Sequence, residues 1–252
     1  LYRHCRVLGE GVYAPEAPRQ ELFLLMLQKL TTKMGLSTLY TEFSNLSTKM
    51  AGYREFRQCG YFPVRWMSIH NSLHSRPPEE RIAPQMLQRI QTAYQHGVVT
   101  DDVVTDQDFR DFSRLLRHHN WTKPKRYIPH DQFFRQLHGD HGRLFLTRYH
   151  GRIIGCSAVA YSQGQAYLWY AAYRRKTFLW LRPDILTIWH AIKSSHERGC
   201  DHIYFMDVGL PFRKNAFREF ILAFGGKPTS TYRWFHCSIA WINRLFAWFY
   251  RD

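Results

Sequence analysis

Residues 202–227, HIYFMDVGLPFRKNAFREFILAFGGK, constrain the chain more than any other stretch. Ile203, Tyr204, Phe205 and Met206 form a short apolar run of the kind a buried strand requires. Asp207 and Gly209 end it, and a short basic loop follows, Arg213-Lys214-Asn215. Phe217, Phe220, Ile221 and Phe224 then repeat at helical spacing until Gly225-Gly226 stops the helix. A strand feeding a helix through a tight turn is a building unit of α/β folds, which hold ligands beyond the carboxyl ends of their strands. An acid and two cations at such a turn suit an anionic or acyl substrate. They equally suit an ordinary turn with charged surface residues, and both readings stay open here.

The rest of the chain repeats this grammar. Residues 21–34 place Leu22, Leu25, Met26 and Leu30 on one helical face, with Gly35 as a stop. Residues 37–43 alternate as a strand, 52–60 give a short helix with a glycine end, and 61–71 return as a strand. Pro77-Pro78 mark a break, followed by a helix with Met86, Leu87, Ile90 and Tyr94 on one stripe and Gly97 as its stop. The domain junction is expected there. A strand from Val98, a helix over 106–118 capped by Asp106, and a second helix, HDQFFRQLHG, come next. Three strands over residues 142–173 turn at His150-Gly151 and Gln163-Gly164. Helix 183–198, with Ile185, Ile188, Trp189 and Ile192 on one face, leads back to the opening segment.

At 252 residues the chain can form one large domain or two modest ones. With 45% hydrophobic and 16% aromatic residues it is not a disordered composition. Its net charge of +15 points to polyanionic partners, although no long Lys/Arg run is present. The five cysteines are widely spaced and form no CxxC pair, which fits reduced thiols in a cytoplasmic protein. The chain opens at Leu1 without an initiator Met, so a preceding segment is expected. No apolar run reaches the ~20 residues that span a bilayer.

With this element order the chain resembles the GNAT acyltransferases, and more narrowly the FemABX-like branch that pairs two GNAT-like domains. The resemblance rests on RIQTAYQHGV, YHGRIIGCSAVAY, YLWYAAY, RPDILTIWHAIKSSHERGCDHIYFMDVG and FREFILAFGGKP, in that order. It covers most of residues 21–230, with 21–71 matching the latter part of a first domain. It implies an α/β fold of tandem GNAT-like domains, mixed central sheets flanked by helices, the first domain incomplete. The expected boundaries are 1–83 for the first domain, 84–97 for a linking helix, 98–237 for the second domain and 238–252 for a C-terminal helix.

The resemblance also implies transfer of an acyl or aminoacyl group to an amine. The donor is either aminoacyl-tRNA or acyl-CoA, with no tightly bound cofactor. In the cell-wall branch the acceptor is a peptidoglycan precursor bearing a pyrophosphate, so a phosphate-bearing substrate and tRNA are the expected partners. Two departures matter. Phe220-Ile221 stands where the family often has Phe-Lys, and the pyrophosphate loop (Q/R)xxGx(G/A) has no convincing copy. Arg152-Ile153-Ile154-Gly155 begins like it but reads as a strand, which weakens acetyl-CoA relative to aminoacyl-tRNA. The alternatives are an acyl-CoA-dependent N-acyltransferase and a non-catalytic RNA- or membrane-binding module.

Amine acylation asks for positioning, a proton acceptor and donors to the oxyanion. Asp207 is the candidate catalytic residue, to orient or deprotonate the amine, or else it caps the following turn. Arg213 and Lys214 are candidates to hold phosphate, and Asn215 to bind substrate or cap the helix that begins at Ala216. Lys123 and Arg126, interleaved with Trp121 and Tyr127, suit a nucleotide or RNA end as well as a plain surface loop. Arg76 is a candidate for a substrate cleft and Tyr173 for a pocket wall, whereas Trp169 and Tyr170 are expected in the core. His138 and His141 have ligand-like spacing, but Gly139 and Gly142 break the helix that would align them, so no metal is expected.

The C-terminal segment SIAWINRLFAWFYRD places Ile239, Ile242, Leu245, Phe246 and Phe249 on an apolar face widened by Trp241 and Trp248. Such a helix either packs on the first domain or gives the protein peripheral contact with an anionic membrane. Oligomeric state is not legible.

Overall fold

The computed structural model describes residues 3–35, 38–121, 127–174, 176–205 and 208–251. Its contacts divide into two compact units, Leu1–Met67 with Gly209–Lys214 and Thr229–Asp252, and Ser68–Val208 with Asn215–Pro228. The expected junction at 83/84 and the expected linking helix therefore fall inside the second unit. Residues 229–237, expected to close the second domain, fall in the first.

The first unit is built from β1 (His4–Leu8), α1 (Arg19–Met34), β2 (Tyr40–Ser44), α2 (Tyr53–Gln58) and the opening part of β3 (Phe62–Ser72). Most of β9 (Lys227–Cys237) and α8 (Ala240–Phe249) complete it. β1 pairs parallel to β2, and β9 lies antiparallel on the other side of β2, with Tyr40 opposite Cys237 and Phe43 opposite Trp234. This pairing draws β9 into the first unit. Phe23 and Leu27 of α1 pack on Phe43, Phe56, Tyr61, Tyr232 and Trp234, with Phe56 stacked on Trp234 at 4.8 Å. The Arg233 guanidinium is buried in the same sheet, 2.9 Å from Glu42 and 3.9 Å above the Trp66 ring. A buried charge needs such compensation, because desolvation alone would cost several kcal/mol.

The second unit continues β3 and adds α3 (Pro84–Gln95), β4 (Val98–Asp102), α4 (Asp106–Asn120), α5 (Asp131–Leu137), β5 (Gly142–Tyr149) and β6 (Arg152–Ser162). It is completed by β7 (Gln165–Tyr173), α6 (Pro183–Glu197), β8 (His202–Phe205) and α7 (Ala216–Leu222). Its strands run in the order β3-β8-β7-β6-β5-β4, antiparallel except for β7 beside β8. The two hairpins close where expected, with positive φ at His150-Gly151 and Gln163-Gly164, the geometry of tight two-residue turns. Thr105, rather than Asp106, caps α4 and forms a capping box with Asp108. Leu144, Leu146, Cys156, Ala158 and Ala172 from the sheet pack against Phe112, Leu116 and Phe134 from α4 and α5. Trp169 and Tyr170 lie partly buried against this core.

Among the described residues no helix is long and apolar enough to cross a membrane.

Candidate functional site

A cavity of about 460 Å³ opens in the second unit beside the carboxyl end of β7. Three features of the local sequence build it. First, β7 carries a bulge. Ala158 of β6 faces Tyr170 and Val159 faces Leu168, so Trp169 is the extra residue. Such a bulge bends its strand and re-aims the side chains beyond it. The strand ends at Tyr173, which is buried and forms one wall of the cavity. Second, α6 starts there. Arg182 takes a left-handed conformation (φ 50°, ψ 58°), and Pro183 opens the helix at a position where its missing N–H costs nothing. Third, α7 starts on the opposite wall and contributes Ala216, Phe217 and Phe220. Asn215 fixes that start, since its Oδ1 accepts from the Phe217 and Arg218 amides at 2.9 and 3.1 Å.

The walls are mainly apolar: Tyr173, Leu179, Pro183, Phe217 and Phe220. One corner is polar. The Arg182 guanidinium forks the Asp184 carboxylate, with Nε and Nη2 at 3.0 and 2.8 Å from its two oxygens. Asp184 holds Arg182 above its ordinary basicity, chiefly through that hydrogen bond. Both groups line the cavity and stay partly accessible. Behind the wall, His119 Nδ1 sits 3.0 Å from the Tyr173 carbonyl oxygen, its ring 5.0 Å from the tyrosine ring.

The α6 N-terminus has few amides left for an anion. Pro183 has none, and the Ile185 and Leu186 N–H groups turn back to the Arg182 carbonyl at 2.9 and 3.3 Å. The Asp184 carboxylate already occupies the positive end of the helix dipole. Arg152 to Gly155, the segment that resembles a pyrophosphate loop in sequence, lies in strand β6, where the pairing with β5 shifts register and leaves Ile154 as the extra residue.

Of the residues singled out in sequence, Tyr173 lines the cavity and Asn215 caps the helix that forms its far wall. Arg213 and Lys214 are exposed and belong to the first unit. Arg76 is exposed, and its carbonyl accepts from Arg81 Nε at 3.4 Å. Asp207, Lys123 and Arg126 lie outside the described residues. Arg182 and Asp184 are not among the residues singled out in sequence, although an Arg-Pro-Asp triplet before a long apolar run marks a helix start carrying opposite charges. Burial pushes the Cys156 and Cys200 thiols up, away from the thiolate. Among the described residues no group of three or more His, Cys, Asp or Glu has the arrangement of a metal site.

A second cavity, about 280 Å³, lies in the first unit between α8 and the sheet. It is lined by Tyr40, Phe62, Val64, Trp66, Leu210, Phe235, Cys237, Phe246 and Tyr250. It has no charged group in its lining.

Known proteins match this architecture. The acetyltransferase (GNAT) domain family matches residues 84–214. No curated protein matches the chain. Among solved structures, the C-terminal domain of a putative lysylphosphatidylglycerol synthetase from Agrobacterium fabrum is similar at TM-score 0.71 and 11% identity, over 96% of this chain and 82% of that one. L-PGS from Bacillus licheniformis is similar at TM-score 0.65 and 10% identity, over 98% and 82%. FemX is similar at TM-score 0.64 and 9% identity, over 98% and 83%. At such identities the likeness is one of fold. The family match spans more than half of the residues and agrees with the resemblance read from the sequence: the chain belongs to the acetyltransferase (GNAT) domain family.

Proposed function

We propose that this N-acyltransferase fold transfers an aminoacyl group to an amine acceptor, and that the donor's aminoacyl end enters the β7–α6–α7 cavity. One observation carries the reading: the polar corner of the cavity is a carboxylate forked by an arginine, at a helix start with few free amides. A CoA donor brings a pyrophosphate, which needs free amides or uncommitted cations. An aminoacyl ester brings an ammonium group beside the reacting carbonyl, and Asp184 suits that charge. Tyr173, Phe217 and Phe220 would enclose the side chain and exclude water.

In the reaction the acceptor amine attacks the ester carbonyl. A C–N bond forms, the tetrahedral oxyanion collapses, the C–O bond to the ribose breaks, and the ribose hydroxyl leaves with a proton that the amine gives up. Asp184 pairs with the donor ammonium, Arg182 holds Asp184, and Asn215 positions the α7 wall. Asp207, two residues past the last residue of β8, remains the candidate to orient or deprotonate the acceptor. Arg213, Lys214, Lys123, Arg126 and Arg76 are the candidates for phosphate on tRNA or on a cell-wall precursor.

A second reading is acyl-CoA-dependent acylation of a lipid or small-molecule amine, favoured by the family match itself. A third, from a different class, is an RNA- or membrane-binding module without catalysis. Labelled aminoacyl-tRNA and labelled acetyl-CoA, each offered with a panel of amine acceptors that includes a nucleotide-linked muropeptide, separate the three. Amide product from the tRNA donor alone, lost in Asp207→Asn, supports the proposal. Product from acetyl-CoA alone selects the second reading, and no product from either selects the third.

A further inference from the structure

The helix α8 is apolar around most of its circumference, yet none of its residues is buried. The fold uses only one side of it. Asn243 holds the helix to its unit by accepting from the Cys237 amide and donating to the Gly60 carbonyl, both at 2.9 Å. Phe246 and Tyr250 lie on the Phe62 ring, each 5.9 Å away between centroids. The other side carries Trp241, Leu245, Trp248 and Phe249, which are 68%, 53%, 61% and 69% exposed. These four occupy positions i, i+4, i+7 and i+8, so they form one continuous stripe. Arg244 and Arg251 stand one turn before and one turn after Trp248 along the stripe's edge, exposed and without an ion pair to any described residue. The helix contains no acidic residue.

We propose that this outer face of α8 is a membrane-docking surface for an anionic bilayer, lying in the headgroup plane with the two tryptophans and their neighbours inserted and the arginines on lipid phosphates. An exposed apolar stripe this wide marks an interaction surface. Charge selects the partner. A second copy would bring the arginine edges of two chains of net charge +15 together, which opposes self-association. An anionic leaflet pairs with that edge, and indole rings anchor at the boundary between headgroup and hydrocarbon. The inference stands independently of the acyl-transfer reading.

The test is flotation of the full chain with vesicles of phosphatidylcholine alone and of an equal mixture of phosphatidylcholine and phosphatidylglycerol. The chain is expected to float with the anionic vesicles, weakly with the neutral ones, and less as salt rises. Trp241→Ser/Trp248→Ser and Arg244→Gln/Arg251→Gln should each weaken partition by at least about tenfold, with the melting temperature unchanged because all four positions are exposed. Leu245→Gln gives the same reading through a milder change. Failure of the native chain to float, or flotation of both double variants like the native chain, overturns the proposal. So does a native dimer that Trp241→Ser/Trp248→Ser converts to monomer without altering vesicle binding.

Discussion

Helices α6 and α8 are both rich in large apolar residues, and the fold treats them in opposite ways. In α6, Ile185, Leu186, Ile188, Trp189, Ala191 and Ile192 are all buried. In α8 none is. Apolar content therefore does not report burial; what counts is how many sides of a helix find a partner within the fold. In its own unit α6 lies against β6 and β7, so its position is fixed by packing, and its first residues line the cavity. By contrast α8 is held along one edge by Asn243, Phe246 and Tyr250, which leaves its outer stripe for something outside the chain.

The comparison predicts unequal responses to equal changes. Trp189→Ala in α6 should cost about 3–5 kcal/mol, read as a large drop in melting temperature, because it empties a closed part of the core. A loss under about 1 kcal/mol would mean that α6 is not the rigid element described. Asn215→Ala should cost about 1 kcal/mol by uncapping α7. Beyond that loss it should slacken the cavity wall, raising KM for the donor more than it lowers kcat.

Acidity should also act on the α6 side. Burial, its largest cause, depresses the His190 pKa, and the ring meets Phe145 at 4.7 Å. A histidine with a lowered folded pKa contributes stability above its unfolded value of about 6.5. That contribution is lost as pH falls from there through the folded pKa, since the unfolded chain binds the proton more readily. The melting temperature should fall between neutral pH and mild acid, and His190→Phe should flatten the slope. The smallest effect belongs to α8: Trp248→Ala should change stability by no more than about 0.5 kcal/mol, measured by denaturant titration.

Much of this was legible in the sequence, because local patterns carry local structure. The glycine stops, the hairpin turns at His150-Gly151 and Gln163-Gly164, and the stripe of α6 follow from spacing and backbone freedom. Strand β9 did not stand out, although Thr229, Thr231, Tyr232, Trp234 and Phe235 have strand propensity. Its partner β2 is remote in sequence, and so is the Glu42 that makes a buried Arg233 tolerable. The cavity was half legible. Tyr173 and Asn215 stood out by type and place, whereas Arg182 and Asp184 look like surface charges until the left-handed turn at Arg182 brings them together. The first ring of α8 residues read as one apolar face proves to be two, an inner edge and an outer stripe, a division set by the sheet beneath it.

The most direct measurement of the central claim is calorimetric titration with a hydrolysis-resistant 3′-aminoacylamino-adenosine, set beside acetyl-CoA, on the native chain and on Asp184→Asn. The account predicts that the aminoacyl analogue binds the native chain and loses at least about tenfold in affinity, or about 1.4 kcal/mol, when the carboxylate becomes an amide. Acetyl-CoA binding the native chain more tightly than the analogue, with Asp184→Asn leaving the analogue's affinity unchanged, would contradict it.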